Sequence, residues 1–473
     1  MASVPANISF NVCLSDFSFS IYNDLHKPDN VCLSPFSIAA SLMLLMMGTS
    51  GLSRNQLKSV LFKKGLPTGD IDHHYKVLHD DLLRKARDTP GMQLSIANQF
   101  FVAKWQVKRL KYKFRRSARR NYGCQVALMD FGDEPYTRNK INRWIERRTG
   151  RKIKEFIPDG MLDQLTFMIL TNVVYFKGQW KSQFDPKKTT KRNFWMNENK
   201  KVMTNMMWQK STFKAGVDMD LNCKAVELPY KGDNISMVII LPNEKEGLPE
   251  MEKKLSPLTF YNLVKRLKSR PTELVLPKFK IKAKIDLKAI LKGLGVTEIF
   301  EALKADFSHM VRSRDQNGDL YVSDAFHESV IEVNEEGSVA AAVTSFFMLF
   351  RSARPSTFNF VADHPFLFVI RDISSETILF LGRYSNPEIT TMNNIKKVST
   401  TLSERTLRLV SANGNNTTKS VEGTEIKTAL EKNKQILSKN EQVECCCCEC
   451  SSSDIDNSAQ TINEEKTESP VDQ

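Results

Sequence analysis

All 28 phenylalanines, 10 tyrosines and 5 tryptophans of this chain lie before Ile389. That single asymmetry limits what the chain can fold. The last 85 residues are dominated by Asn, Ser, Thr, Glu and Lys, a composition that cannot bury enough apolar area to offset the entropy of ordering it. Residues 389–473 are therefore predicted to form a disordered polar tail, with a transient helix around Ile426–Leu437. The fold belongs to residues 1–388. A chain of 473 residues suggests about three domains by length alone, but the texture before Glu388 is continuous and shows no internal repeat.

Charge divides at the same place. The chain carries 68 Lys+Arg against 54 Asp+Glu, a net +14. The tail holds ten basic and thirteen acidic residues, so the body before it carries +17. A body this basic is expected to meet a polyanion, and an acidic tail to meet solvent. Nine of the cations fall between Lys104 and Arg120 with no acid among them: Lys104, Lys108, Arg109, Lys111, Lys113, Arg115, Arg116, Arg119 and Arg120. Leu110, Phe114, Ala118 and Tyr122 recur every four positions there, which predicts a helix with one buried stripe and a cationic remainder. Sulfated glycosaminoglycan such as heparin is the favoured polyanion, ahead of nucleic acid; a simple solvated face is the competing expectation.

Four cysteines (Cys13, Cys32, Cys124, Cys223) are scattered without framework spacing and are expected to be free thiols. The other five crowd between Cys445 and Cys450. Soft-metal binding, crosslinking or acylation are open to that cluster, but no histidine or second cysteine pair supports a closed metal site, and an inert, variable tail segment is the expectation. The longest apolar run, Ile38–Met47, is about half of what a bilayer span needs and reads as a buried helix; no membrane partner is expected. Met1 to Asn7 shows neither a positive start nor an apolar stretch. The expected compartment is then a reducing one, or an extracellular one reached with a leader not seen here.

Helical spacing marks Asp16–Leu25, Ser37–Met47, Asp72–Arg87 and Leu287–Leu294. Strand character marks Leu94–Val102, Thr166–Phe176, Leu274–Ile281, Leu320–Val333, Thr357–Ile370 and Thr377–Tyr384. Ala225–Pro229 and Ser236–Leu241 flank the turn Lys231-Gly232-Asp233-Asn234, a hairpin signal. The run Thr166–Phe176 is apolar without alternation, as a strand buried on both faces requires. Many strands without a βαβ rhythm predict a single α+β domain.

No enzyme constellation is present. The sequence has no nucleophile elbow, phosphate-cradling loop or dinucleotide fingerprint. His327-Glu328 lacks a second histidine four residues after the first. Asp315–Asp319 resembles a calcium loop, but its glycine is misplaced and the distal glutamate is missing; it is expected to be a turn between strands.

The informative stretch is Val330–Pro355. A strand ending Glu332-Val333 passes through Asn334-Glu335-Glu336-Gly337 into Ser338-Val339-Ala340-Ala341-Ala342-Val343-Thr344-Ser345, which has neither charge nor proline. Phe346–Phe350 and then Arg351-Ser352-Ala353-Arg354-Pro355 follow. A connection this long between strands is most often functional.

Val333–Ser338 followed by small residues resembles the hinge of the reactive-centre loop of serpins, and Asp363–Asp372 resembles the C-terminal signature of that family. Ser34-Pro35-Phe36-Ser37 is similar to the start of its shutter helix, and Thr171–Trp180 to its long central strand and breach tryptophan. Glu227–Tyr230, Leu276–Phe279, Ala305–Ser308 and Gly382–Pro387 fall in the family's order. The resemblance covers nearly all of residues 1–388 and implies one domain of three β-sheets with eight or nine helices and an exposed reactive-centre loop. It implies a suicide-substrate inhibitor of serine proteases, not an enzyme, that needs no cofactor and is a monomer. The family places the hinge glycine fourteen residues before the cleaved bond, and counting back from Arg351 reaches Gly337.

The resemblance also implies roles for single residues. Arg351-Ser352 is the expected reactive bond, directing the inhibitor at trypsin-like proteases. Phe350, one residue earlier, would instead direct it at chymotrypsin-like enzymes; Arg354 is disfavoured by Pro355. The hinge is Glu335, Glu336, Gly337, Ser338, Ala340, Ala341, Ala342 and Thr344. With alternation of period two, Ser338, Ala340, Ala342, Thr344, Phe346 and Met348 would turn inward on insertion. The shutter and breach residues are Ser34, Ser37, Asn172, Trp180 and His327. The polyanion-binding set is Lys108, Arg109, Lys111, Lys113, Arg115, Arg116, Arg119 and Arg120. A non-inhibitory serpin that binds or stores is the alternative. Asn7 and Asn234 lie in N-glycosylation acceptor patterns, and with the family norm they favour secretion over the cytoplasm.

Overall fold

The structure is a computed structural model and describes residues 9–25, 27, 29–65, 70–106, 109–312, 320–335 and 356–393. Among these residues there are nine α-helices and fifteen strands, an α+β architecture. The apolar run in mid-chain becomes the strand Met168–Lys177, buried along all but its last residue. Its period of two serves two cores at once. Leu170, Val174 and Phe176 join the main core beneath the sheet, while Ile169, Val173 and Tyr175 join a second one above it. That second core packs under the helix Glu134–Arg148 and the segment after it, through Ile141, Ile145, Phe156 and Ile157.

Six strands make this sheet. Across it run Thr391–Asn393, Phe279–Asp286, Asp324–Val333, Met168–Lys177, Gln93–Ala103 and Val126–Met129. The ordered sheet therefore includes three residues beyond Glu388, with Thr391–Asn393 lying parallel to Lys282–Lys284. The rest of the polar tail lies outside the described residues. A second ladder holds nine strands. Its longest member, Lys201–Asp218, pairs with Cys223–Pro229 at one end and with Lys268–Pro277 and Thr190–Trp195 along the remainder. That one strand makes two of the three expected sheets continuous.

Beneath the six-stranded sheet lies the helix Pro35–Gly48. It is apolar all round and buried at every position but Met47, as a helix enclosed on all sides must be. Ser34 caps it, its hydroxyl accepting from the Ser37 amide, and Pro35 occupies the first helical position.

Two expected strands are each divided in the structure. Leu274–Ile281 breaks at Pro277, so that Lys268–Pro277 serves the nine-stranded ladder and Phe279–Asp286 the six-stranded sheet. Thr357–Ile370 breaks at Ala362–Pro365 into Phe358–Val361 and Phe366–Asp372. In both cases proline lacks the N–H a ladder needs. The first helix also starts earlier than its spacing suggests, at Phe10.

Candidate functional site

The strands Met168–Lys177 and Asp324–Val333 lie side by side, parallel, and are hydrogen-bonded directly to one another from Ile169↔Asp324 to Phe176↔Ile331. Parallel neighbours cannot be joined by a hairpin. The chain leaving Val333 can turn back only antiparallel to both of them. Entering this seam, such a strand would lie antiparallel to a partner on each side.

A row of polar side chains crosses the seam from below. Asn98, Asn172 and His327 stand at one level on three adjacent strands. The Ser34 amide donates to His327 Nε2 at 3.1 Å, so the ring proton sits on Nδ1, which donates to Asn172 Oδ1 at 2.6 Å. The Asn172 amide nitrogen lies 2.6 Å from the Ser37 carbonyl, 2.9 Å from Ser37 Oγ, 3.0 Å from Ser41 Oγ and 2.9 Å from Asn98 Oδ1. Ser37 Oγ donates to Asn98 Oδ1 at 3.0 Å. One position along the strand from Glu328, Ser329 Oγ donates to the Cys32 carbonyl at 2.8 Å. Burial of the His327 imidazole lowers its pKa to about 3, so the ring is neutral. The helix below and both strands of the seam are thus tied by one network.

The structure brings Ser34, Ser37, Asn172 and His327 together in this network. Asn98, Ser41 and Ser329 belong to it too, and sequence reasoning did not single them out. Two signals were available. Asn98 is a polar residue in the middle of an apolar strand, and Ser41 follows Ser37 by one helical turn.

At the hinge end, Trp180 Nε1 donates to the Asn334 carbonyl at 3.0 Å, and its ring stacks on Tyr230 with centroids 4.4 Å apart. Glu335, the last described residue before the loop, accepts from Thr189 Oγ1 at 3.0 Å and pairs with Lys278 at 2.9 Å. Burial acts most strongly, to raise the Glu335 carboxyl, but the hydrogen bonds from Lys278, Thr189 and its own backbone, with the Lys278 charge, together outweigh it and hold the pKa below the usual range. The Glu336–Ser352 part of the site, including Gly337, Ser338, Ala340, Ala341, Ala342, Thr344, Phe346, Met348, Phe350, Arg351 and Ser352, lies outside the described residues. So do Lys108, Arg354 and the Asp315–Asp319 turn.

On the upper face of the seam, Glu328 is 1% exposed and faces Lys282 at 3.2 Å. Burial raises its carboxyl pKa, and the two neighbouring lysines, Lys282 and Lys284, act against that rise. The Lys284 ammonium donates to the Phe156 carbonyl.

The basic segment forms the helix Tyr112–Tyr122, burying Phe114, Ala118 and Tyr122. Lys113, Arg115, Arg116, Arg119 and Arg120 are exposed. One of the expected polyanion ligands is corrected: Arg109 is buried, its Nε donating to the Arg312 carbonyl at 3.1 Å, so it is withdrawn from the cationic face. Lys111 is half-buried, and its Nζ donates to the Ser308 carbonyl at 2.6 Å.

Cys13, Cys32, Cys124 and Cys223 are buried and unpaired. Burial pushes the thiols of Cys32, Cys124 and Cys223 up to about 12, which leaves them inert. Among the described residues no helix is long and apolar enough to cross a membrane.

Comparison with known proteins gives a consistent picture. The model of the family Serpin (serine protease inhibitor) matches residues 13–387. Human leukocyte elastase inhibitor is 35% identical over 376 residues, covering 78% of this chain and 96% of that protein. Human Serpin B3 is 33% identical over 390 residues, covering 78% and 97%. Among solved structures, a tumour-suppressing serpin superposes with a TM-score of 0.71 at 25% identity, covering 80% of this chain and 99% of the other. Thyroxine-binding globulin complexed with thyroxine does so at 0.69 and 28%, covering 79% and 98%.

Proposed function

The chain belongs to the serpin family of serine protease inhibitors, and from that premise we propose that it is an inhibitory serpin, cleaved at Arg351-Ser352 by trypsin-like proteases. It is not itself a catalyst. The observation that carries this reading is the parallel seam between Met168–Lys177 and Asp324–Val333, which continues directly into the loop.

The chemistry follows from the seam. The protease serine attacks the Arg351 carbonyl, the Ser352 amine leaves, and Arg351 is held as an acyl ester. The freed end of the loop then folds back antiparallel to Asp324–Val333 and enters the seam. One set of strand-to-strand hydrogen bonds is exchanged for two. Ser338, Ala340 and Ala342 enter first, where the sheet opens, and their small volume limits the separation required. The fourteen residues after Gly337 span roughly 45 Å as a strand, so the linked protease is carried along the sheet before water reaches the ester. Such an inhibitor holds its native form by a kinetic barrier, and the network around Asn172 and His327 is positioned to be part of that barrier.

Incubation with trypsin followed by a denaturing gel tests the proposal. A covalent complex at the summed mass, with a released peptide beginning at Ser352, is expected. Quantitative cleavage without a complex would overturn inhibition in favour of a binding or storage role. A complex with chymotrypsin cut after Phe350, or with elastase alone, would overturn the Arg351 assignment. The elastase arm is included because a similar protein is a leukocyte elastase inhibitor.

The exposed cations of the Tyr112–Tyr122 helix support a sulfated polysaccharide such as heparin as an accessory partner. For the compartment, the four unpaired thiols support a reducing one, the cytoplasm, over secretion. Secretion would place a glycan at Asn234, in an accessible turn, so no mobility shift on glycosidase treatment of the natural protein is expected. A shift would place it outside the cell.

A further inference from the structure

At the hinge end of the six-stranded sheet, where its strands end beside the helix Ile71–Asp88, there is a cleft of about 510 Å³. That lies within the range of small-ligand sites, roughly 300–1,000 Å³. Its floor is the end of the central strand, with Ser95 paired to Tyr175 and Gln93 to Lys177 on the next strand. One wall is the last turns of the helix Ile71–Asp88; the other is the segment Thr149–Lys152 that follows the helix Glu134–Arg148.

Tyr175 is the unexplained residue of this cleft. It is 1% exposed, yet its hydroxyl has no hydrogen-bond partner among the described residues. A buried hydroxyl left unpaired costs about 1–3 kcal/mol, and here it lines an open cleft. Lys152 stands over its ring, 5.5 Å from the centroid, and Lys177 lies two residues further along the strand. Among the described residues no acidic one lines the cleft. The nearby Glu332 carboxylate pairs with Lys280 at 2.8 Å and also feels Lys152 and Lys177, so one carboxylate faces three lysines and the local charge stays positive. Arg87 at the rim is taken by Asp88 at 3.2 Å. The remaining lining is apolar, from Leu83, Ala86, Met92 and Leu94.

We propose that this cleft binds an amphipathic anion, a carboxylate or sulfonate on an apolar body. The anionic head sits between Lys152 and Lys177 and accepts from the Tyr175 hydroxyl. The apolar body lies against Leu83, Ala86, Met92 and Leu94. Both lysines and the hydroxyl are donors, which excludes a cation, and the apolar side excludes a bare inorganic anion as the best occupant. The site is independent of the reactive loop, so it stands whether or not the chain inhibits a protease.

Isothermal titration of the full chain with sodium decanoate, below the concentration at which it forms micelles, tests this. Saturable one-to-one binding is expected. The double variant K152Q/K177Q should weaken it at least about tenfold, as loss of charged hydrogen bonds predicts. Y175F, which removes one oxygen, should weaken it about two- to tenfold. Decanol should bind at least about tenfold more weakly than decanoate. L83W, checked for a wild-type circular dichroism spectrum, fills the cleft and should abolish binding. Absence of saturable heat, equal binding of decanol, or wild-type affinity in L83W would each overturn the site.

Discussion

Neutral His327 makes the seam sensitive to acid. In an unfolded chain an imidazole titrates at about 6.5, whereas in the fold it does so at about 3. Above about pH 6.5 both states hold the ring neutral, and its contribution to stability is complete. As the pH falls toward 3 the unfolded chain binds a proton that the folded one refuses, and stability is lost, by about 2 kcal/mol at pH 5. Glu328 works in the opposite sense. Its raised carboxyl pKa lets the folded chain take up a proton first as the pH falls, which favours the fold. Comparison with a His327→Gln variant separates the two. Between pH 7 and pH 5 the apparent Tm of the wild type should fall further than that of the variant, measured by circular dichroism. Equal slopes would refute the role given to His327. At this scale the sequence showed a histidine and an asparagine, and only the resemblance to serpins suggested that they meet. Their partners Asn98 and Ser41 carried a signal of position only, because the contact itself depends on elements that are far apart in the chain.

Among the elements, the inserting strand imposes the strictest chemical demand. Every inward position must enter a core, and burying an unpaired charge there costs several kcal/mol. Ala342→Arg, in the middle of the inward set, should leave the native fold and cleavage by trypsin intact while stopping insertion. The expected gel shows cleaved inhibitor and free protease, with the covalent complex reduced at least about tenfold. An undiminished complex would mean that Ala342 does not turn inward. Elements with strong periodicity were legible. Ser37–Met47, Asp72–Arg87 and Thr166–Phe176 lie within one or two residues of the observed Pro35–Gly48, Ile71–Asp88 and Met168–Lys177. The helix Glu134–Arg148 was not, because it buries only Thr137, Ile141 and Ile145, too narrow a stripe to stand out among charges. The long strand Lys201–Asp218 escaped for a related reason. Much of it is exposed, so it presents no apolar run, and its stability comes from pairing on both edges.

For the molecule as a whole, the net charge of +14 has a place on the surface. Lys113, Arg115, Arg116, Arg119 and Arg120 project from a helix whose first turn has no acid. Such repulsion is tolerable on a solvated helix, at a few tenths of a kcal/mol per pair, and it becomes favourable against a polyanion. Reversing Lys113, Arg115, Arg119 and Arg120 to glutamate should lower the salt needed for elution from heparin. Unchanged retention would return the helix to a solvated face. Reversal of Arg109 would not test the idea, since that residue is buried and hydrogen-bonded to the Arg312 carbonyl.

Composition and periodicity alone determined that the fold mixes helices with a large sheet, and that one strand is buried on both faces. These are local properties, written in which residues are apolar and how often they recur. The tertiary structure decided the rest. It joined Ser34, Asn98, Asn172 and His327 into one network, split two strands at Pro277 and Pro365, and took Arg109 out of the cationic face. It also placed the unpaired hydroxyl of Tyr175 in a cleft with Lys152. Each of these depends on the register of strands distant in sequence, and register is fixed only when many side chains pack at once.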